Sequence, residues 1–95
     1  MHFVYIIYSP KLDKFYVGET SDLGRRLAWH NSGEFTGSYS KIASDWELFW
    51  SIQCNNILTG RKIETHIKKM KSRVYYRNLK QRPEISLRLL ELYKI

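Results

Sequence analysis

Apolar and polar positions fall into short blocks along this chain, separated by residues that favour turns and helix caps. His2 to Tyr8 (HFVYIIY) is β-branched and aromatic with no polar phase. That pattern predicts a strand buried on both faces. Ser9 to Lys14 (SPKLDK) carries turn chemistry, because Pro10 fixes φ and Asp13 tolerates tight conformations. Phe15 to Gly18 resumes as a second strand, so the two form an antiparallel hairpin. Thr20, Ser21 and Asp22 offer N-cap side chains for a helix from about Asp22 to Asn31. Leu23, Leu27 and His30 lie on one side of it, and Gly33 can end it. Residues 34–46 are polar and Ser-rich and read as a loop. Glu47 to Gln53 (ELFWSIQ) reads as a third strand.

The remainder has helical spacing. Asn55 or Asn56 caps a second helix whose apolar stripe is Ile63, Ile67, Met70 and Val74. Gly60 costs that helix about 1 kcal/mol relative to Ala unless close packing needs a small residue there. Ser72 caps a short third helix reaching Gln81. Pro83 suits the first turn of a last helix, Pro83 to Tyr93, with Ile85, Leu89 and Leu92 inward. The order is β-β-α-β-α-α-α. The expected fold is α+β, a small three-stranded antiparallel sheet flanked by helices.

Length and charge narrow the function. Ninety-five residues fit one domain, residues 1–95, with one core. The net charge of +7 favours a nucleic acid or an anionic surface as partner. That charge is concentrated, with nine Lys or Arg and a single carboxylate, Glu64, between Arg61 and Arg82. An i,i+4 pairing with Lys68 is one reading of Glu64. A metal ligand on a nucleic-acid-binding surface is the other. Cys54 is the only cysteine, so no internal disulfide is possible and a reducing, cytoplasmic setting fits. The apolar run Phe3 to Tyr8 is far too short to span a membrane, and the N-terminus lacks the features of a signal peptide.

The candidate chemistry lies in an ordered set. Tyr16 follows Tyr5 by eleven positions, Arg26 follows Tyr16 by ten, and His30 follows Arg26 by four. Arg26 and His30 therefore share a helix face, and the hairpin puts the tyrosines on neighbouring strands. Such a set can cleave a phosphodiester. A tyrosine acts as general base if its pKa falls well below about 10. Arginine clamps phosphate oxygens. Magnesium needs only one or two protein carboxylates, whereas the three histidines and Cys54 show no zinc spacing.

These residues resemble a known family. Phe3-Val4-Tyr5, ten intervening residues and Tyr16-Val17-Gly18 are similar to the signature of the GIY-YIG nucleases. Arg26, His30 and Glu64 fall where that family places its helix arginine, helix histidine and metal-binding glutamate. The segment Ile67 to Arg73 resembles the small bacterial single-domain members. The resemblance covers about residues 2–82, and Phe3 stands in place of the first glycine. It implies an endonuclease using one divalent cation, Mg²⁺ or Mn²⁺, that acts on nucleic acid, DNA foremost, and leaves 5′-phosphate and 3′-hydroxyl ends. By position, Tyr5 or Tyr16 activates water, Arg26 holds the scissile phosphate, Glu64 binds the metal and His30 contacts phosphate or assists a tyrosine. Asn78 matches a late supporting asparagine.

Around that set, Arg25, Lys68, Lys69, Lys71, Arg73, Arg77, Lys80 and Arg82 form a candidate track for a phosphate backbone, which positions nucleic acid without reading its sequence. Trp29 and Trp50 read as packing. Trp46, beside the polar loop, reads as the best candidate for a base-stacking platform. Tyr75 and Tyr76 pack the third helix, and His66 is a surface residue. Two further readings stay open. One is a nucleic-acid-binding module without catalysis, and the other is a protein-interaction domain that uses its aromatic surface.

Overall fold

The computed structural model describes residues 1–32 and 43–94. Its order of elements is β-β-α-β-α-α-α, with a three-stranded antiparallel sheet in the α+β arrangement expected. The strands are β1 (His2–Ser9), β2 (Lys14–Thr20) and β3 (Glu47–Cys54), and the helices are α1 (Leu23–Ser32), α2 (Ile57–Met70), α3 (Arg73–Gln81) and α4 (Pro83–Leu92). Strand β1 is central, between β2 and β3. Its uninterrupted apolar run explains that position. Successive side chains of a strand point to opposite faces, and both faces here are covered. Val4 and Ile6 join Val17, Trp50, Ile52, Ile63, Ile67, Leu79 and Leu89 on the face under α2, α3 and α4. Tyr5 and Ile7 join Ala43 and Trp46 on the other, with Tyr16, Leu23 and Leu27 packed alongside.

Two local devices set the sheet. Asp13 takes a left-handed backbone, φ 52°, at the hairpin turn, accepts a hydrogen bond from Tyr8 Oη at 2.7 Å and is gripped by Arg73 at its carboxylate and its carbonyl. Across β1 and β3 the register shifts between Ile6, opposite Trp50, and Ile7, opposite Leu48. Phe49 is the extra residue of that bulge. The bulge lets both Phe49 and Trp50 pack on the helical face, which strict alternation would forbid.

The helix starts follow side-chain caps. Asp22 accepts from the Arg25 amide, Asn56 from that of Thr59 and Ser72 from that of Tyr75. The expected stripe of α2 is too long by two residues, since Met70 at the end of the helix is 45% exposed. The helix stops at Met70, because Lys71 adopts φ 46° and Ser72 restarts the chain as α3. Val74 belongs to α3 and is 63% exposed. Leu92 likewise faces outward. Tyr93 takes the inward place at the end of α4, accepting from Thr59 Oγ1 through its carbonyl. Gly60 lies against the sheet, and a Cβ there would sit 3.4 Å from Glu19 Cγ. Close packing of α2 on β2 therefore accounts for a residue that weakens a free helix. Gly33, and most of the stretch 34–46 read as a loop, lie outside the described residues. Among those described, no helix is long and apolar enough to cross a membrane.

Candidate active site

The hairpin register decides where the two tyrosines meet. Tyr5 is paired with Gly18 and Ile7 with Tyr16, so Tyr5 and Tyr16 are diagonal neighbours on one face. Gly18 leaves room for the Tyr5 ring to lie across β2. A Cβ on Gly18 would fall 2.5 Å from Tyr5 Oη and 2.6 Å from its Cζ. The ring is thereby aimed at α1, where His30 sits in the last turn. Tyr5 Oη lies 3.0 Å from His30 Nε2. The His30 ring packs edge-on to Tyr16 at 4.9 Å and to Trp29 at 5.5 Å between centroids. One turn earlier, the Arg26 guanidinium stacks over Trp29 at 4.6 Å.

Charge ties Glu64 to this group. Burial is the main reason that Tyr5 holds its proton more tightly than an ordinary tyrosine. The neighbouring Tyr16 adds to the effect, Arg26 opposes it, and Glu64 and Glu19 reinforce it. Two carboxylates and one guanidinium therefore act on one phenol, from α2, β2 and α1 respectively. His30 is fully buried. Burial, and then the Arg26 charge, lower its pKa to about 4. It is a neutral imidazole at physiological pH.

That depression has a consequence for stability. Unfolded His30 takes up a proton near pH 6.5, whereas folded His30 does so only near pH 4. The unfolded chain binds more protons between those values, so the contribution is whole above pH 6.5 and is lost as pH falls toward 4. Its size is up to about 3 kcal/mol. The melting temperature of the parent is expected to fall more steeply over this window than that of His30→Gln, which cannot titrate. Parallel pH profiles for the two proteins would remove His30 as the source.

Several residues stand differently from the sequence expectations. Trp46 is not a stacking platform, because it is 3% exposed within the core. The Asn31 side chain fixes it there by accepting from the Trp46 amide at 2.8 Å and donating to the Trp46 carbonyl at 3.0 Å. His66 is half-buried, with Nδ1 2.8 Å from Tyr93 Oη. Arg73 is committed to Asp13, so much of its charge is answered within the chain. Lys80 covers the Phe49 ring at 4.6 Å. Lys68 pairs with Glu64 at 3.0 Å, the i,i+4 reading made from sequence. Arg25, Lys69, Lys71 and Arg77 are exposed and form no salt bridge among the described residues. Arg25 and Arg26 line an open groove of about 550 Å³ with Thr20, Ser21, Asp22 and Trp29. The Asn78 carbonyl accepts from the Arg82 amide, and its side chain forms no hydrogen bond to the tyrosines among the described residues.

Three contributors carry little or no signal in the sequence. Gly18 is visible there only as part of Tyr-Val-Gly, since the clash it avoids depends on the register. Glu19 is held by His2 Nδ1 at 2.5 Å and is 13% exposed at its side chain. Nothing in its spacing distinguishes it from a solvated strand residue. Asn31 follows His30 directly, but its partner is fifteen residues away.

The donor set fits a hard divalent cation. Glu64 is half-buried, and only a partly exposed lysine engages it. Pairs of that kind contribute on the order of 0–1 kcal/mol, so a doubly charged ion can displace Lys68. No cluster of three His, Cys, Asp or Glu suited to a metal occurs among the described residues. A closed zinc cage needs such a cluster, whereas magnesium takes one carboxylate, water and substrate phosphate.

A small sheet thus presents two tyrosines to a helix carrying arginine and histidine, with Glu64 on a second helix. The chain matches the GIY-YIG catalytic domain over residues 1–80 and belongs to that family. No curated protein and no solved structure matches it significantly.

Proposed function

We propose that this protein is a divalent-metal-dependent endonuclease that hydrolyses phosphodiester bonds of DNA with little sequence preference. The observation that carries the reading is the buried Tyr5–His30 pair set beside Tyr16 and Arg26 and within the field of Glu64. Arg26 is always charged and meets the phosphate from the groove that it lines with Arg25. Glu64 would hold the cation, Mg²⁺ or Mn²⁺, which supplies positive charge to the phosphate and to the leaving oxygen. Tyr5 keeps its proton, and neutral His30 holds the phenol in place. Tyr16, acting as the phenolate after its own proton has left to solvent, is then the tyrosine that takes the proton from the attacking water. Lys69, Lys71 and Arg77, with Lys68 once Glu64 releases it, attract the phosphate backbone.

The test is conversion of supercoiled plasmid to the nicked form with Mg²⁺ or Mn²⁺, and none with a chelator. The products are expected to carry 5′-phosphate and 3′-hydroxyl ends that ligase reseals. One observation favours a second reading, a binding module without catalysis. Lys68 already engages the carboxylate that a cation would need. Salt-sensitive binding to duplex, branched and single-stranded DNA with no metal-dependent nicking would establish that reading and overturn the first.

A further inference from the structure

Helix α2 has a second flank, of which the nuclease reading uses only Lys69. Its buried side is Thr59, Gly60, Ile63 and Ile67. Glu64 stands at one edge of that side. At 3.6 residues per turn, the stripe Leu58, Lys62, Thr65 and Lys69 is centred roughly 130° around the helix from Glu64. There a groove of about 720 Å³ runs the length of the helix, with Leu58, Arg61, Lys62, Lys69, Met70 and Tyr93 among its walls. Leu58 is 54% and Met70 45% exposed, large apolar side chains at opposite ends of one helix. Tyr93, tied to His66, closes the far wall. No acid lines the groove among the described residues. Arg61, Lys62 and Lys69 form no salt bridge among them.

We propose that this flank is a docking groove for an acidic amphipathic helix of a protein partner. Three observations select that occupant. The exposed apolar side chains of Leu58 and Met70, one at each end of the groove, are surface that a hydrated phosphate backbone gains nothing by covering. The cations along the groove, which form no salt bridge among the described residues, complement carboxylates flanking an apolar stripe. The walls repeat at helical spacing along nearly the whole of the 14-residue helix, about 20 Å, which matches three to four turns of a packed helix. Methionine at one end adapts to the shape of what it meets. The proposal does not depend on catalysis, because Glu64 and the tyrosines lie on another side of the helix.

The probe is a synthetic peptide of about four helical turns, with leucines on one face and glutamates flanking them. Its control has the same composition in scrambled order. Binding is read by fluorescence anisotropy. The patterned peptide is expected to bind at least about tenfold more tightly than the control, and Leu58→Gln with Met70→Gln to weaken it by about tenfold. Lys62→Glu, a surface change, should weaken it as well. DNA affinity of the double Gln variant is expected to stay within about twofold of the parent, since no charge changes. Equal binding of the two peptides, or indifference to all three substitutions, overturns the proposal. Loss of DNA binding in the double Gln variant also overturns it, by making the groove part of the nucleic-acid track.

Discussion

Tyr16→Phe is expected to fold like the parent and to nick plasmid between about a hundredth and a ten-thousandth as fast, the range for loss of a general base. The tyrosines are not equivalent. Tyr5 lies 3.0 Å from His30, and burial is the main cause that keeps its proton in place, with Tyr16, Glu64 and Glu19 adding to it and Arg26 opposing it. A phenol so held is a poor acceptor near neutral pH. Tyr16 is half-buried beside the same histidine. Tyr5→Phe should therefore act mainly through structure. It leaves the His30 ring nitrogen without its phenol partner, at a cost of about 1–3 kcal/mol, and slows nicking by a smaller factor. Arg26→Lys should lose nearly as much rate as Tyr16→Phe, because an ammonium cannot grip two phosphate oxygens at once. Glu64→Gln keeps the shape and removes the charge, so added Mn²⁺ should not restore activity. Single-turnover nicking at saturating protein, with circular dichroism as a folding control, measures all four. If Tyr5→Phe proved inactive while Tyr16→Phe kept most of its rate, the roles assigned to the two tyrosines would be reversed.

The elements are legible in the chain because their boundaries carry side-chain chemistry. Asn56, Ser72 and Pro83 start helices where caps and a first-turn proline are expected. The apolar run of β1 identifies a strand covered on both faces. What is not legible depends on backbone choices without a compositional signal. Lys71 turns left-handed to end α2, and lysine gives no warning of that. The expected stripe therefore runs on to Val74. Leu92 and Tyr93 are both apolar at the end of a helix, and only the Thr59 and His66 partners of Tyr93 decide which turns inward.

The site divides in the same way. Order and spacing single out Tyr5, Tyr16, Arg26, His30 and Glu64, and the fold brings them near one another. Spacing cannot show which tyrosine is buried, because that follows from the pairing of Tyr5 with Gly18. Nor can it show that Arg73 spends its charge on a hairpin aspartate sixty residues earlier. A run of basic residues looks uniform in sequence. Folding divides it into cations that hold the domain together and cations that remain for a ligand.

Gly18→Ala should be the most damaging glycine-to-alanine change among the described residues. The added carbon would lie 2.5 Å from Tyr5 Oη and 2.6 Å from Cζ, well inside van der Waals contact. Neither partner can retreat easily, since Gly18 is in β2, paired with the central strand, and Tyr5 is packed among Ile7, Ala43 and Trp46. Overpacking of this kind costs about 1–3 kcal/mol, which lowers the melting temperature of a domain this size by about 5–20 °C. Activity should fall further than stability explains, because a displaced Tyr5 no longer meets His30. A double-mutant cycle separates the two effects. Tyr5→Phe removes Oη but leaves Cζ, so the clash with the added methyl persists in part. Tyr5→Leu removes both atoms, and Gly18→Ala should cost markedly less stability in that background while activity stays lost. An equal melting shift in the parent, Phe and Leu backgrounds would mean that the glycine does not make room for the Tyr5 ring.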